Sequence, residues 1–290
     1  MKRLLLSLAL IVTAARASAQ EWAEARIEKS PRHLEWVTVK HDGREVGCYV
    51  GYPEVKTKAP AVLVIHEIFG LSDWARLLVD ELAAAGYVAI APDLLWGQGK
   101  NGGGTSEIPA REIGQRIFKL PPEQITADLN AALGYIRKDV ACNGNVIVMG
   151  FCWGGGQSFR FATNNDAIKA ALVFYGTAPD ATDMARIAAP VYGFYAGNDA
   201  RVSAGVPAAT EAMKAAGKFY EPVIYDGAGH GFMRAGDAPS PEKVAEPAAD
   251  AGADARKAFA DYQKRLTAYE ANAKAHAAAW ERVKAIMAKF

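Results

Sequence analysis

The chain has 290 residues, 51% of them apolar and 22% charged, so it can bury a sizeable core and is not a disordered polar chain. Its 33 basic and 32 acidic side chains leave a formal net charge of +1, without the basic surplus that a nucleic-acid-binding surface carries. No internal repeat stands out, and after the first residues no apolar run approaches the roughly 20 residues of a membrane-spanning helix.

Residues 1–19 combine Lys2 and Arg3, an apolar stretch over 4–15 and the small residues Ala17, Ser18 and Ala19. This is the pattern of a secretory signal peptide cut between Ala19 and Gln20, and it predicts an exported protein, periplasmic or secreted, with no membrane attachment after cleavage. An uncleaved anchor is the alternative, although the stretch is short for a span. Loss of Lys2, Arg3 and Arg16 leaves 30 basic against 32 acidic residues, a net −2. Residues 20–290 are then expected to form a single domain.

Residues 33–51 alternate enough to predict a hairpin turning at His41-Asp42-Gly43. From Pro60, PAVLVIHEIFGLSDWARLLVDELAAAGYVAIAPDLL reads strand, loop, amphipathic helix, strand, with the first strand running into the loop HEIFG at 66–70. A glycine-rich run follows at 97–106, and 109–138 reads as helix broken at Pro121-Pro122. NVIVMGFCWGGG, from Asn145, is a buried-looking strand ending in Gly150-x-Cys152-x-Gly154-Gly155. Residues 168–175 are another strand. APVYGFYAGNDARV and FYEPVIYDGAGHGFMR are two more, with loops that hold Asp199 and His230. Strands alternating with helices predict an α/β fold, a mostly parallel sheet with helices on both faces and its chemistry at the carboxyl ends of the strands.

A strand running into Gly-x-nucleophile-x-Gly fits the elbow of the α/β-hydrolase fold, whose sharp turn lifts the nucleophile above the sheet. Here the nucleophile is the thiol of Cys152. A thiol needs a base, and the base needs a group that orients it and stabilises its charged form. Singly, Cys152 also reads as a buried core thiol, Asp199 as a turn aspartate and His230 as a loop histidine. Together they follow this fold's chain order of nucleophile, acid and histidine. The 66–70 loop leaves its strand where the fold supplies an oxyanion-hole amide, so the N–H of Ile68 is expected to pair with that of Trp153.

The HEIFG loop, the PDL after the next strand, the G-x-C-x-GG elbow, the Asp199 loop and the AGHGF segment occur in the order of one family. Over about residues 36–234, and again in a final helix near 278–290, the chain resembles the dienelactone hydrolases, carboxymethylenebutenolidase-like enzymes. The resemblance implies Cys152 as nucleophile, His230 as base, Asp199 as its partner, and Glu67 as a carboxylate that holds the resting thiol until substrate displaces it. It further implies cleavage of a small-molecule lactone or ester through a thioester, with no metal or cofactor. Family members hold the substrate carboxylate with two arginines. Arg234 matches one; Gly97 stands where the other belongs, and Lys100, three residues on, is the candidate substitute. A general carboxylesterase or thioesterase on the same triad is the enzymatic alternative, and a non-catalytic exported binding protein with this fold is the alternative of another class.

Residues 237–290 are expected to form a C-terminal helical extension. Phe259, Tyr262, Leu266, Tyr269, Ala273, His276, Trp280, Val283, Met287 and Phe290 mark one helix face, and a helix over 254–290 would be about 55 Å long at 1.5 Å per residue. Either the stripe packs on the body of the domain, or the first turns project past the mouth of the site as a lid or as a homodimer contact. His276, with no other metal-binding residue near it, reads as a packed histidine. Of three cysteines, Cys142 and Cys152 sit at opposite ends of one strand, near 20 Å apart at roughly 3.3 Å per residue and too far to bridge. For Cys48 and Cys142, a disulfide and two buried thiols both stay open.

Overall fold

Eight stretches rich in β-branched and aromatic residues pair into one sheet in the computed structural model, which describes residues 20–290; the expected signal peptide, 1–19, lies outside the described residues. Strands β1 (Leu34–His41) and β2 (Arg44–Gly51) form the predicted hairpin. Asp42 and Gly43 have φ of 46° and 74°, the two left-handed positions of a tight turn whose twist suits antiparallel strands.

β2 also pairs antiparallel with β4 (Val88–Pro92), and every later pairing is parallel. The strands are β3 (Ala59–Ile65), β5 (Cys142–Phe151), β6 (Ala170–Phe174), β7 (Val191–Ala196) and β8 (Tyr220–Tyr225), in the order β1-β2-β4-β3-β5-β6-β7-β8. The chain runs from β3 outward to β4, then returns to the other side of β3 as β5. The order therefore reverses between β3 and β5, and the crevice beyond their carboxyl ends is where α/β sheets bind ligands.

Alternate residues of the central strands feed two cores. Ala61, Leu63, Ile65, Val146 and Val148 face one side, under Leu129, Ile136 and Phe159. Val62, Val64, Ile147 and Met149 face the other, under Leu77, Leu82 and Val283, all of them on helices. Burying each such side chain contributes about 1.5–3 kcal/mol, which is why both faces are covered. These helices span α2 Asp73–Ala84, α4 Pro122–Arg137, α5 Trp153–Ala162 and α10 Ala253–Met287, and an N-terminal α1 spans Glu21–Ile27. The predicted break at Pro121-Pro122 separates α3 (Ala110–Ile117) from α4, with Pro122 in the first turn of the new helix, where a missing N–H costs nothing. The remaining helices are short: α6 (Ala181–Met184), α7 (Ala200–Ser203), α8 (Val206–Ala215) and α9 (Phe232–Asp237).

α10 is the long helix that the apolar stripe predicts, 35 residues and about 53 Å. Its buried seam in the second half runs through Ala275, Ala279, Val283, Ile286 and Met287; Val283 and Met287 belong to the predicted stripe, whereas the predicted Ala273, His276 and Trp280 are half-buried flanks. Arg282 ties it to the sheet, donating to the carbonyls of Gly193 at 2.7 Å and Glu221 at 2.6 Å with its guanidinium 4.4 Å from the Phe194 ring centre. Cys48 and Cys142 are free buried thiols. Among the described residues no helix is long and apolar enough to cross a membrane.

Candidate active site

β5 ends at Phe151, and the chain turns into α5 through Cys152, whose φ of 56° and ψ of −117° lie outside the regions an ordinary side chain prefers. Such strain costs about 1–3 kcal/mol and persists only where the surroundings enforce it. They do so here by close approach. A Cβ on Gly154 would lie 2.4 Å from the carbonyl oxygens of Ile65 and His66, so the first turn of α5 rests directly on the end of β3. The N–H of Cys152 donates to Phe174 of β6 at 3.0 Å.

That contact brings the 66–70 loop to the thiol. His66 is buried; its Nδ1–H donates to the carbonyl of Glu67 at 2.8 Å, its Nε2 accepts from the N–H of Leu94 at 3.4 Å, and its ring stacks on Trp153 at 5.8 Å. Burial pushes its pKa down, consistent with a neutral ring that fixes the loop. The N–H groups of Ile68 and Trp153 both act on the Cys152 sulfur and pull its pKa down, as does the charge of Arg201. Burial, and after it the carboxylate of Glu67, outweigh them, and the thiol ends above its ordinary value.

Glu67 is buried and accepts from Arg234 Nε at 2.8 Å, while the Arg234 guanidinium lies 5.1 Å from the centre of the Phe69 ring. Burial raises the Glu67 carboxyl against the pull of Arg234. Glu67 thus faces the arginine, and its influence on the thiol is through its charge; no hydrogen bond joins it to Cys152 among the described residues.

Asp199, buried at the start of α7, lies 2.5 Å from His230 Nδ1. Their loops are stitched together: Asn198 donates its backbone N–H to Ala228 at 2.8 Å and its side-chain amide to Gly227 at 3.0 Å. Asn272 of α10 accepts the N–H of Gly229 at 2.8 Å, so the long helix holds the histidine loop from behind. Tyr175, with φ of 38° and a buried hydroxyl, meets the His230 ring edge-on at 5.1 Å. Neither Asn272 nor Tyr175 belongs to a motif legible in the sequence.

Two cavities adjoin this cluster. One of about 440 Å³ lies beside the sulfur, lined by Ile68, Cys152, Trp153, Tyr175, Arg160 and Arg201. The other, of about 1010 Å³, begins on the far side of Ile68 and includes Phe69, Arg76, Arg111 and Arg234. Lys100 departs from expectation. It is exposed in a tight turn closed by bonds between Gly99 and Gly103, 2.9 Å, and between Gly102 and Gly99, 3.1 Å, and it lines neither cavity. Arg76 and Arg111 supply the cations there instead. Among the described residues no group of three His, Cys, Asp or Glu side chains is placed to hold a metal ion.

Comparison with known proteins bears on the family and the fold. The dienelactone hydrolase family profile matches residues 46–290. A Salmonella typhi protein with the provisional name carboxymethylenebutenolidase is 30% identical over 207 residues, covering 67% of this chain and 76% of that protein. A Methylorubrum extorquens protein with the same provisional name is 33% identical over 203 residues, 64% of this chain and 68% of that one. The crystal structure of a provisionally named dienelactone hydrolase from Klebsiella pneumoniae superimposes with a TM-score of 0.63 at 25% identity, covering 82% of this chain and 98% of its own. The chain belongs to the dienelactone hydrolase family and is a hydrolase of ester or lactone bonds.

Proposed function

We propose that the protein opens a lactone or ester through a Cys152–His230–Asp199 triad and a thioester intermediate. The observation that carries this reading is the 2.5 Å contact of Asp199 with His230 Nδ1, which leaves Nε2 as the free basic atom, together with the strained elbow that carries Cys152 at the end of β5. His230 Nε2 takes the thiol proton, and the sulfur bonds to the substrate carbonyl carbon. The N–H groups of Ile68 and Trp153 stabilise the oxyanion. The tetrahedral species collapses, the C–O bond to the leaving enolate or alkoxide breaks, and the imidazolium returns its proton to that oxygen. Water, activated by the same imidazole, then cleaves the thioester and frees the carboxylic acid. Glu67 gates the thiol, its charge helping to keep the sulfur protonated until an entering substrate displaces the carboxylate.

A neutral ester is the second reading of the substrate. It is favoured by one observation: Arg234 is already neutralised by Glu67, and Lys100 stands clear of both cavities. Steady-state hydrolysis of a dienelactone and of a neutral aryl ester, with Cys152→Ala as control, separates the two. The triad predicts a loss of about 10⁴-fold in kcat for Cys152→Ala. Turnover of the dienelactone supports an anionic substrate, and turnover of the aryl ester alone supports the neutral one. No turnover of either by folded protein leaves an ester or lactone outside this pair, or a binding protein with this fold. Export belongs to the same proposal and rests on the pattern of residues 1–19. Sequencing of the secreted or periplasmic form should begin at Gln20, as the first residue of one domain.

A further inference from the structure

We infer that the larger cavity is a binding site for a planar aromatic acid, stacked on a wall formed by Trp36 and Trp96 with its anionic group at Arg111. This deepens the reading above and rests on it in one respect, that the bound group is part of the ester Cys152 cleaves. Ile68 lines both cavities, so the larger one adjoins the cavity beside the sulfur at the residue whose N–H would hold the oxyanion.

The wall is built into the backbone. A Cβ on Gly47 of β2 would fall 2.3 Å from the Trp96 ring, so the absence of a side chain there lets the indole lie flat on the strand. Trp36, on the neighbouring strand β1, extends the surface, with ring centres 5.8 Å apart and planes inclined by 33°. The glycine-rich run, longer than the minimal fold needs, is pinned beside it. Asp93 accepts the N–H of Thr105 at 2.6 Å and its hydroxyl at 2.8 Å, and Glu107 accepts the N–H groups of Asn101 at 2.8 Å and Gly103 at 3.3 Å.

This wall faces open space. Trp36 is 47% exposed and Phe69 44%, both lining the cavity, where water gains nothing from them. At about 1010 Å³ the cavity lies at the upper end of the range for small-molecule sites, well beyond the needs of a single small lactone ring. Asp73 and Asp93 also line the cavity, and its three arginines differ in how firmly they are held. Arg76 is paired with Asp73 at 2.5 Å and Arg234 with Glu67 at 2.8 Å, whereas the nearest carboxylate to Arg111 is Glu112 at 3.9 Å, and the Arg111 side chain is 83% exposed. Arg111 is the loosest-held of the three cations, and an anionic group on the ligand completes it.

Calorimetric titration of Cys152→Ala protein with 2-naphthoate and with neutral 2-naphthylmethanol tests this without turnover. The expected result is one site that binds the naphthoate about tenfold tighter than the alcohol, a preference that Arg111→Gln removes. Trp36→Ala should weaken both by about three- to tenfold, and Trp36→Phe should restore part of the loss. Absence of binding at about 1 mM, or binding that ignores both Trp36 and Arg111, overturns the proposal. Hydrolysis of small aryl esters by the unmodified protein without naphthoate binding would sink this site and leave the thiol mechanism standing. Naphthoate binding without any esterase activity would do the reverse.

Discussion

At Cys152 the elbow's amides and the Glu67 carboxylate act in opposite directions on one sulfur. The raised thiol pKa means that little thiolate exists near neutrality, so alkylation by iodoacetamide should follow a pH midpoint above that of an ordinary thiol. Glu67→Gln removes the negative charge and frees the positive charge of Arg234, and both changes favour thiolate. The midpoint should move down, and the alkylation rate at about pH 7.5 should rise several-fold; an unmoved midpoint would remove Glu67 from control of the thiol. Cys152, Asp199 and His230 were legible in the sequence because each closes a strand whose apolar run fixes where it ends. Lys100 was not, since the path of a glycine-rich loop depends on bonds such as those from Glu107 and Asp93, which no periodicity encodes. Arg76 and Arg111 escaped for a related reason: each sits on a helix, and which helix face lines a cavity depends on packing.

Among the elements, α1 is fastened at Arg26, which bridges Glu81 of α2 and Asp237 of α9. Burial, reinforced by the charge of Asp237, pushes the Glu81 carboxyl from 4.5 up to about 7. Between those values the folded protein keeps a proton that the unfolded chain has released, so stability falls as pH rises through that window and levels off above it. Thermal melts from pH 5 to 8 should register a decline on the order of 2 kcal/mol, reduced by the partly exposed Arg26. Glu81→Gln should flatten the curve. The hairpin turn, the βαβ unit and the proline break were readable because local chemistry dictates them: left-handed Asp42 and Gly43, alternating apolar residues, a missing N–H at Pro122. On α10, Tyr262, Val283 and Met287 of the predicted stripe are buried, whereas Ala275 and Ala279 were not read into the seam because they are small, and small residues are what a helix pressed close to its neighbours buries.

For the molecule as a whole, the question left by the stripe on α10 is what covers it. Tyr262 is 7% exposed within the single chain, Phe259, Leu266 and Tyr269 are half-buried, and none of the large exposed apolar residues lies on this helix. The helix has little apolar surface to offer a second copy, so the protein should sediment with the mass of one chain; a dimer that dissociates on deleting 239–271 would contradict this.

The bond from Asn272 to Gly229 also sets an order of events in time. Sheet, elbow and the 66–70 loop are all encoded before α10, yet the histidine loop gains its rear support only when that helix docks. A chain emerging from the ribosome therefore carries the Cys152 thiol well before it carries a supported His230 loop.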